Sequence, residues 1–109
     1  MKLVKAIIRE ERVPYVQKAL TDKNVYGMTV SSVMGRGSQG GVHLQYRGGI
    51  LNVDLLPKVA LEMVIRDEQE ETVISQILSA ARVGKEGDGK IFVIPVHGAH
   101  RVRTGEVEE

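Results

Sequence analysis

Cysteine is absent from the 109 residues, which excludes disulfides and every chemistry that needs a thiolate. Tryptophan is absent too, and Phe92 is the only phenylalanine. A sheet that reads RNA bases does so with exposed aromatic rings, so an RNA-recognition module is disfavoured. No charge of one sign accumulates: formal net charge is +1, which points to neither nucleic acid nor a membrane surface. No apolar run approaches the ~20 residues of a membrane span. The apolar stretch inside MKLVKAIIRE is too short for a signal-peptide core, so a cytoplasmic location is expected.

Catalytic patterns are also missing. His43, His97 and His100 are neither spaced four apart on one helix nor accompanied by cysteines, so no metal site is expected from them. Ser31, Ser32 and Ser38 lie in no nucleophile-elbow pattern. The carboxylates gather at helix starts and in the tail, where helix dipole and solvation account for them. The chain reads as a binding protein, not an enzyme.

What is present suits one globular domain spanning 1–109, with 42% hydrophobic and 27% charged residues. Leu3–Arg9 is a β-branched run typical of a buried strand. Pro14 fits the first turn of a helix, where its missing N–H costs nothing, and Val13, Val16, Ala19 and Leu20 follow at helical spacing. Asn24 with Gly27 marks the exit, and Tyr26–Met34 predicts a second strand. Gly35–Leu55 is glycine-rich and predicts a long mobile loop, a kind of connection that is usually functional. A third strand follows over Lys58–Ile65, where Val59, Leu61, Met63 and Ile65 alternate with Lys58, Ala60, Glu62 and Val64. Asp67 and Glu70 have capping-box spacing ahead of an apolar stripe at Val73, Ile74, Ile77, Leu78 and Ala81. Gly84–Gly89 is a second glycine-rich loop and Lys90–Val96 a fourth strand.

The order βαβ, long loop, βαβ is that of a ferredoxin-like α+β fold with a four-stranded antiparallel sheet. Its helices can cover only one face. Both faces of Leu3–Ile8 and Lys58–Ile65 carry apolar residues, so the open face needs a partner, most simply another copy of the chain.

GKEGDGK at Gly84–Lys90 is the principal chemical signal. Glycines let backbone N–H groups approach an anion, and Lys90 adds a point charge. A helix-capping glycine with a tight turn explains the same residues equally well. The Walker pattern is not present. Arg101 and Arg103 could add forked donors to the same anion, although a solvated face accounts for them as well. Gly35-x-Gly37-x-Gln39 offers amides but is a weak signal alone. Tyr46 and Arg47 are residue types that commonly anchor a protein partner.

Together these pieces resemble the PII nitrogen-regulatory signalling proteins, ungapped from Met1 to about Glu106. The resemblance is carried by Ala6–Arg9 (AIIR), YGMTV at Tyr26–Val30, GRG-x-Q at Gly35–Gln39, YRG at Tyr46–Gly48, LPK at Leu56–Lys58, GDGKIFV at Gly87–Val93 and RVRTGE at Arg101–Glu106. It implies a homotrimer with an ATP or ADP site in each cleft between subunits. The implied nucleotide-binding residues are Ile7, Gly27, Met28, Thr29, Gly35, Gly37, Ser38, Gln39, Glu62, Val64, Gly87, Asp88, Gly89, Lys90, Arg101 and Arg103. Of these, Gly87, Gly89 and Lys90 hold phosphates in a B-loop at about 82–90, with Arg101 and Arg103 of the C-terminal loop at about 97–109 joining across the subunit boundary. Gln39 helps hold Mg²⁺ on ATP. The effector 2-oxoglutarate is implied at Arg9, Gln39, Gly41, Lys58 and Gly87. The long loop, about 37–55, corresponds to the family's partner-contacting T-loop, with Tyr46 and Arg47 reaching the partner. An ammonium transporter is the leading target, reached without membrane insertion; a nitrogenase or another pathway is the alternative.

This chain departs from the family at four positions. Leu51 and Gly49 stand at the family's modified positions, which removes covalent modification there, and Ser38 and Gly40 replace usually basic residues. Ligand preference between ATP and ADP is therefore open. An acylphosphatase-like enzyme on the same fold is disfavoured, because the position of its phosphate loop holds Arg9-Glu10-Glu11-Arg12, acidic and without glycine.

Overall fold

A computed structural model describes residues 1–36, 42–46, 49–53 and 55–108. Strand β1 (Lys2–Ile8) leads through a 3-10 turn at Glu10–Arg12 into helix α1 (Val13–Thr21). Strand β2 is Thr29–Gly35, and β3 (Val42–Tyr46) and β4 (Gly49–Val53) form a hairpin of their own. Then follow β5 (Leu56–Ile65), a 3-10 turn at Asp67–Gln69, helix α2 (Glu70–Ala81) and β6 (Gly89–Pro95). Short strands β7 (Ala99–His100) and β8 (Val107–Glu108) pair in the tail.

The main sheet is four-stranded and antiparallel in the order β2-β5-β1-β6, the expected ferredoxin-like arrangement. Its register follows from the alternation read in the sequence. Val4, Ala6 and Ile8 lie opposite Met63, Leu61 and Val59, and all six are buried. Against this face pack Val16 and Leu20 of α1 and Val73, Ile77 and Ala81 of α2, each pair four residues apart on one helical stripe. Slipping β5 by one residue would exchange this set for Lys58, Ala60, Glu62 and Val64, so burial pins the register.

The opposite face has no covering layer among the described residues. There Leu3 lies between Val64 and Ile94, and Lys5 between Glu62 and Phe92. Phe92, Ile94 and Val64 remain 42%, 45% and 47% exposed, a large apolar surface for a small domain.

Four local expectations are revised. The second strand begins at Thr29 rather than Tyr26, because Asn24 turns the chain at φ 63° and takes the Tyr26 hydroxyl's hydrogen bond, holding the segment off the sheet. The segment read as a long mobile loop contains the β3–β4 hairpin; Val42–Tyr46 alternates with strand period and Gly49–Val53 is a short apolar run, signals outweighed by the glycines around them. The Asp67/Glu70 capping box does not form: the Gln69 side chain accepts from the Arg66 N–H at 2.9 Å, while Asp67 accepts from the Met1 amino group at 2.7 Å. The C-terminal loop that the resemblance implies at about 97–109 closes as the β7–β8 hairpin.

Candidate functional site

The loop joining α2 to β6 is shaped by its glycines. Gly84, Gly87 and Gly89 have φ of 83°, 86° and 117°, backbone that other residues adopt only with strain. At Gly89 crowding adds to this, since a Cβ there would lie 1.9 Å from the Ile7 carbonyl oxygen. Between them Asp88 folds the loop onto itself. One carboxylate oxygen accepts from the backbone N–H groups of Val83 and Gly84 at 3.1 and 2.9 Å, and the other from Arg9 Nε at 3.2 Å. Partial burial pushes the Asp88 carboxyl up, but the Gly84 amide, Arg9 and the Val83 amide outweigh it and hold it below its ordinary value.

Two cations close the other side of the loop. Arg9 Nη2 donates to the Glu86 carbonyl at 2.6 Å, and Lys58 donates to the Gly87 carbonyl. A Cβ on Gly87 would stand 3.3 Å from Lys58 Nζ and 3.5 Å from Arg9 Nη2. Gly35 adjoins the same place, its absent Cβ position 3.5 Å from Lys58 Cγ. Ile7 lies opposite Lys90 and Ala60 in the sheet. Thus Ile7, Arg9, Gly35, Lys58 and Gly87–Lys90 gather at one end. Their cations, glycine-shaped backbone and exposed Lys90 fit an anionic ligand.

Gly27, Met28, Thr29, Glu62 and Val64 gather elsewhere, with Leu3 and Met63 lining a shallow depression of about 400 Å³. Arg101 and Val64 share an adjoining hollow of about 380 Å³ with Met1, Ile65, Arg66, Gln69 and Glu108. This second group sits toward the far end of β5: Lys58 and Val64 are about 20 Å apart at the rise of an extended strand. Arg103 is exposed in the tail turn between β7 and β8. One chain therefore does not bring Arg101 or Val64 to the Gly87–Lys90 loop.

Gly37, Ser38, Gln39, Gly40, Gly41 and Arg47 lie outside the described residues. Tyr46 and Gly49 pair at the end of the β3–β4 hairpin, with Leu44 opposite Leu51. Two features went unread in the sequence. The loop-organising role of Asp88 had a signal, an aspartate between glycines at a turn. The tie of Arg101 to Glu108 had none, because it depends on the tail folding back. Among the described residues no cluster of metal-ligating side chains forms, and no helix is long and apolar enough to cross a membrane.

A profile described as "Nitrogen regulatory protein P-II" matches residues 1–106. The chain is 46% identical to Nitrogen regulatory protein P-II 2 of Methanothermobacter thermautotrophicus over 106 residues, 97% of this chain and 92% of the relative. To P-II 1 of the same organism it is 49% identical, with the same shares covered. To Nitrogen regulatory protein P-II of Nostoc punctiforme it is 46% identical, covering 97% of this chain and 95% of the other.

Proposed function

The chain belongs to the nitrogen regulatory protein P-II family, and from that premise we propose that it senses adenine nucleotides in clefts between copies of itself. As a family member it is a regulatory signalling protein. In the proposal, ATP or ADP binds each cleft of a homotrimer, Mg²⁺ accompanies ATP, and 2-oxoglutarate is a further effector. The connection between β2 and β5 is the arm that targets read, and ligands bias its conformations. An ammonium transporter is the proposed target.

One observation carries this reading: the residues implied for one nucleotide are divided between opposite ends of the sheet. Gly35, Lys58 and Gly87–Lys90 sit at one end; Thr29, Glu62, Val64 and Arg101 lie toward the other. A second copy set against the apolar face holding Phe92 and Ile94 can supply the missing half. Within the first half, Gly87 and Gly89 would place backbone against phosphates, and Lys90 would add charge. Arg9 and Lys58, now bonded to loop carbonyls, are the cations within reach of the carboxylates of 2-oxoglutarate. Gln39 would hold Mg²⁺ with ATP, and Gly41 would complete the acid's site.

Calorimetry with ATP and ADP, each with and without Mg²⁺ and 2-oxoglutarate, tests the proposal alongside light scattering for the trimer. Binding of at least one nucleotide to the trimer is expected. No heat with either nucleotide would overturn it.

A further inference from the structure

The tail hairpin places a carboxylate on one of the cations proposed for phosphate. Strand β8 runs back along β7, with Ala99 opposite Glu108 and His100 opposite Val107. The turn is closed by the Arg101 N–H donating to the Glu106 carbonyl at 2.8 Å and the Gly105 N–H donating to the Arg101 carbonyl at 2.7 Å. Gly105 takes φ 74°, which lets the chain reverse so tightly. With the backbone returned in this register, Arg101 Nη2 donates to Glu108 Oε1 at 2.7 Å. The pair borders the hollow that also holds Val64.

We infer that Glu108 is an affinity-determining residue of the nucleotide site: its carboxylate occupies Arg101 in place of a phosphate oxygen and must be displaced when nucleotide binds. The inference rests on the proposed role of Arg101 as a phosphate donor. A carboxylate and a phosphate present the same pair of acceptor oxygens to a guanidinium, so they compete for the same donors. The pair is half exposed, with side-chain exposures of 56% and 44%, so the internal competitor is weak and reversible. It tempers affinity without abolishing it. Glu106, equally acidic and two residues earlier, contributes its backbone to the turn and has no side-chain bond to Arg101 among the described contacts.

The test compares the unaltered chain with Glu108→Gln and Glu106→Gln by calorimetry with ATP and with ADP. Glu108→Gln is expected to bind nucleotide roughly two- to five-fold tighter, the range of an exposed ion pair. Glu106→Gln is expected to bind as the unaltered chain does. Combining Glu108→Gln with Arg101→Ala should erase the gain, since the partner of the competition is then gone. Nucleotide binding that is unchanged by Glu108→Gln would overturn the inference alone. Equal gains from both glutamine variants would also overturn it, because they would reflect net charge rather than occupancy of Arg101. No nucleotide binding by the unaltered chain and by every variant would instead overturn the role of Arg101 on which the inference rests.

Discussion

Asp88 holds Arg9 at 3.2 Å across the mouth of the glycine-rich loop, and this ion pair ties β1 to a loop 79 residues away in sequence. The other carboxylate oxygen binds the Val83 and Gly84 amides. Asp88 thus acts as the loop's internal anion, and a nucleotide would meet a surface already shaped by it.

Replacing Asp88 with Asn is expected to loosen that shape and weaken ATP binding while leaving the far-ultraviolet circular dichroism unchanged. The carboxyl is held below its ordinary value of 3.8, so its stabilising contribution is fully present above that pH. It is lost as pH falls below 3.8 through the folded-state value. Acid titration of stability should therefore show a shallower decline in Asp88→Asn than in the parent, with no difference in slope between pH 5 and 8. A parallel pair of acid curves would refute the assignment.

Gly89→Ala is expected to destabilise by about 2 kcal/mol or more, since positive φ and a collision with the Ile7 carbonyl coincide there. Gly98→Ala, with open space around it and ordinary backbone, should be nearly neutral. Urea unfolding at one fixed protein concentration measures both, the constant concentration being needed if copies associate.

Ile94→Glu places a charge on the uncovered sheet face beside Leu3, and should abolish self-association and nucleotide binding together. Leu78→Glu, a comparably exposed apolar position on α2 (43%), serves as the control and should leave the assembly intact. Light scattering with calorimetry reads both. A monomer that still binds ATP would disprove the split-site arrangement.

Arg47→Ala is expected to weaken a reconstituted complex with an ammonium transporter at least ten-fold, as befits an arginine hot spot. Full-strength binding would remove Arg47 from the contact.

Much of the sheet was legible because alternation is a local property. Val59, Leu61, Met63 and Ile65 declared a buried face by spacing alone, and the structure buries all four. The hairpin of Val42–Tyr46 with Gly49–Val53 was obscured because glycine counts outweighed one short alternating run and one short apolar run. The cap before α2 was misplaced because Asp67 and Gln69 both have capping chemistry, and the Met1 amino group claimed Asp67. Glu108 was unreadable, since nothing local says which cation a tail carboxylate will meet.

The glycine-rich loop, the arginines at the start of the tail and the family were determined by the sequence itself, because residue type and spacing suffice to state what chemistry a segment can offer. Which of those segments share a place was decided only by the tertiary structure. Antiparallel pairing of β1 with both β5 and β6 sets Lys58 beside Gly87, yet carries Val64 along the strand to the distant end. An extended strand cannot bring its two ends together, so within one chain the glycine-rich loop and Arg101 stay apart.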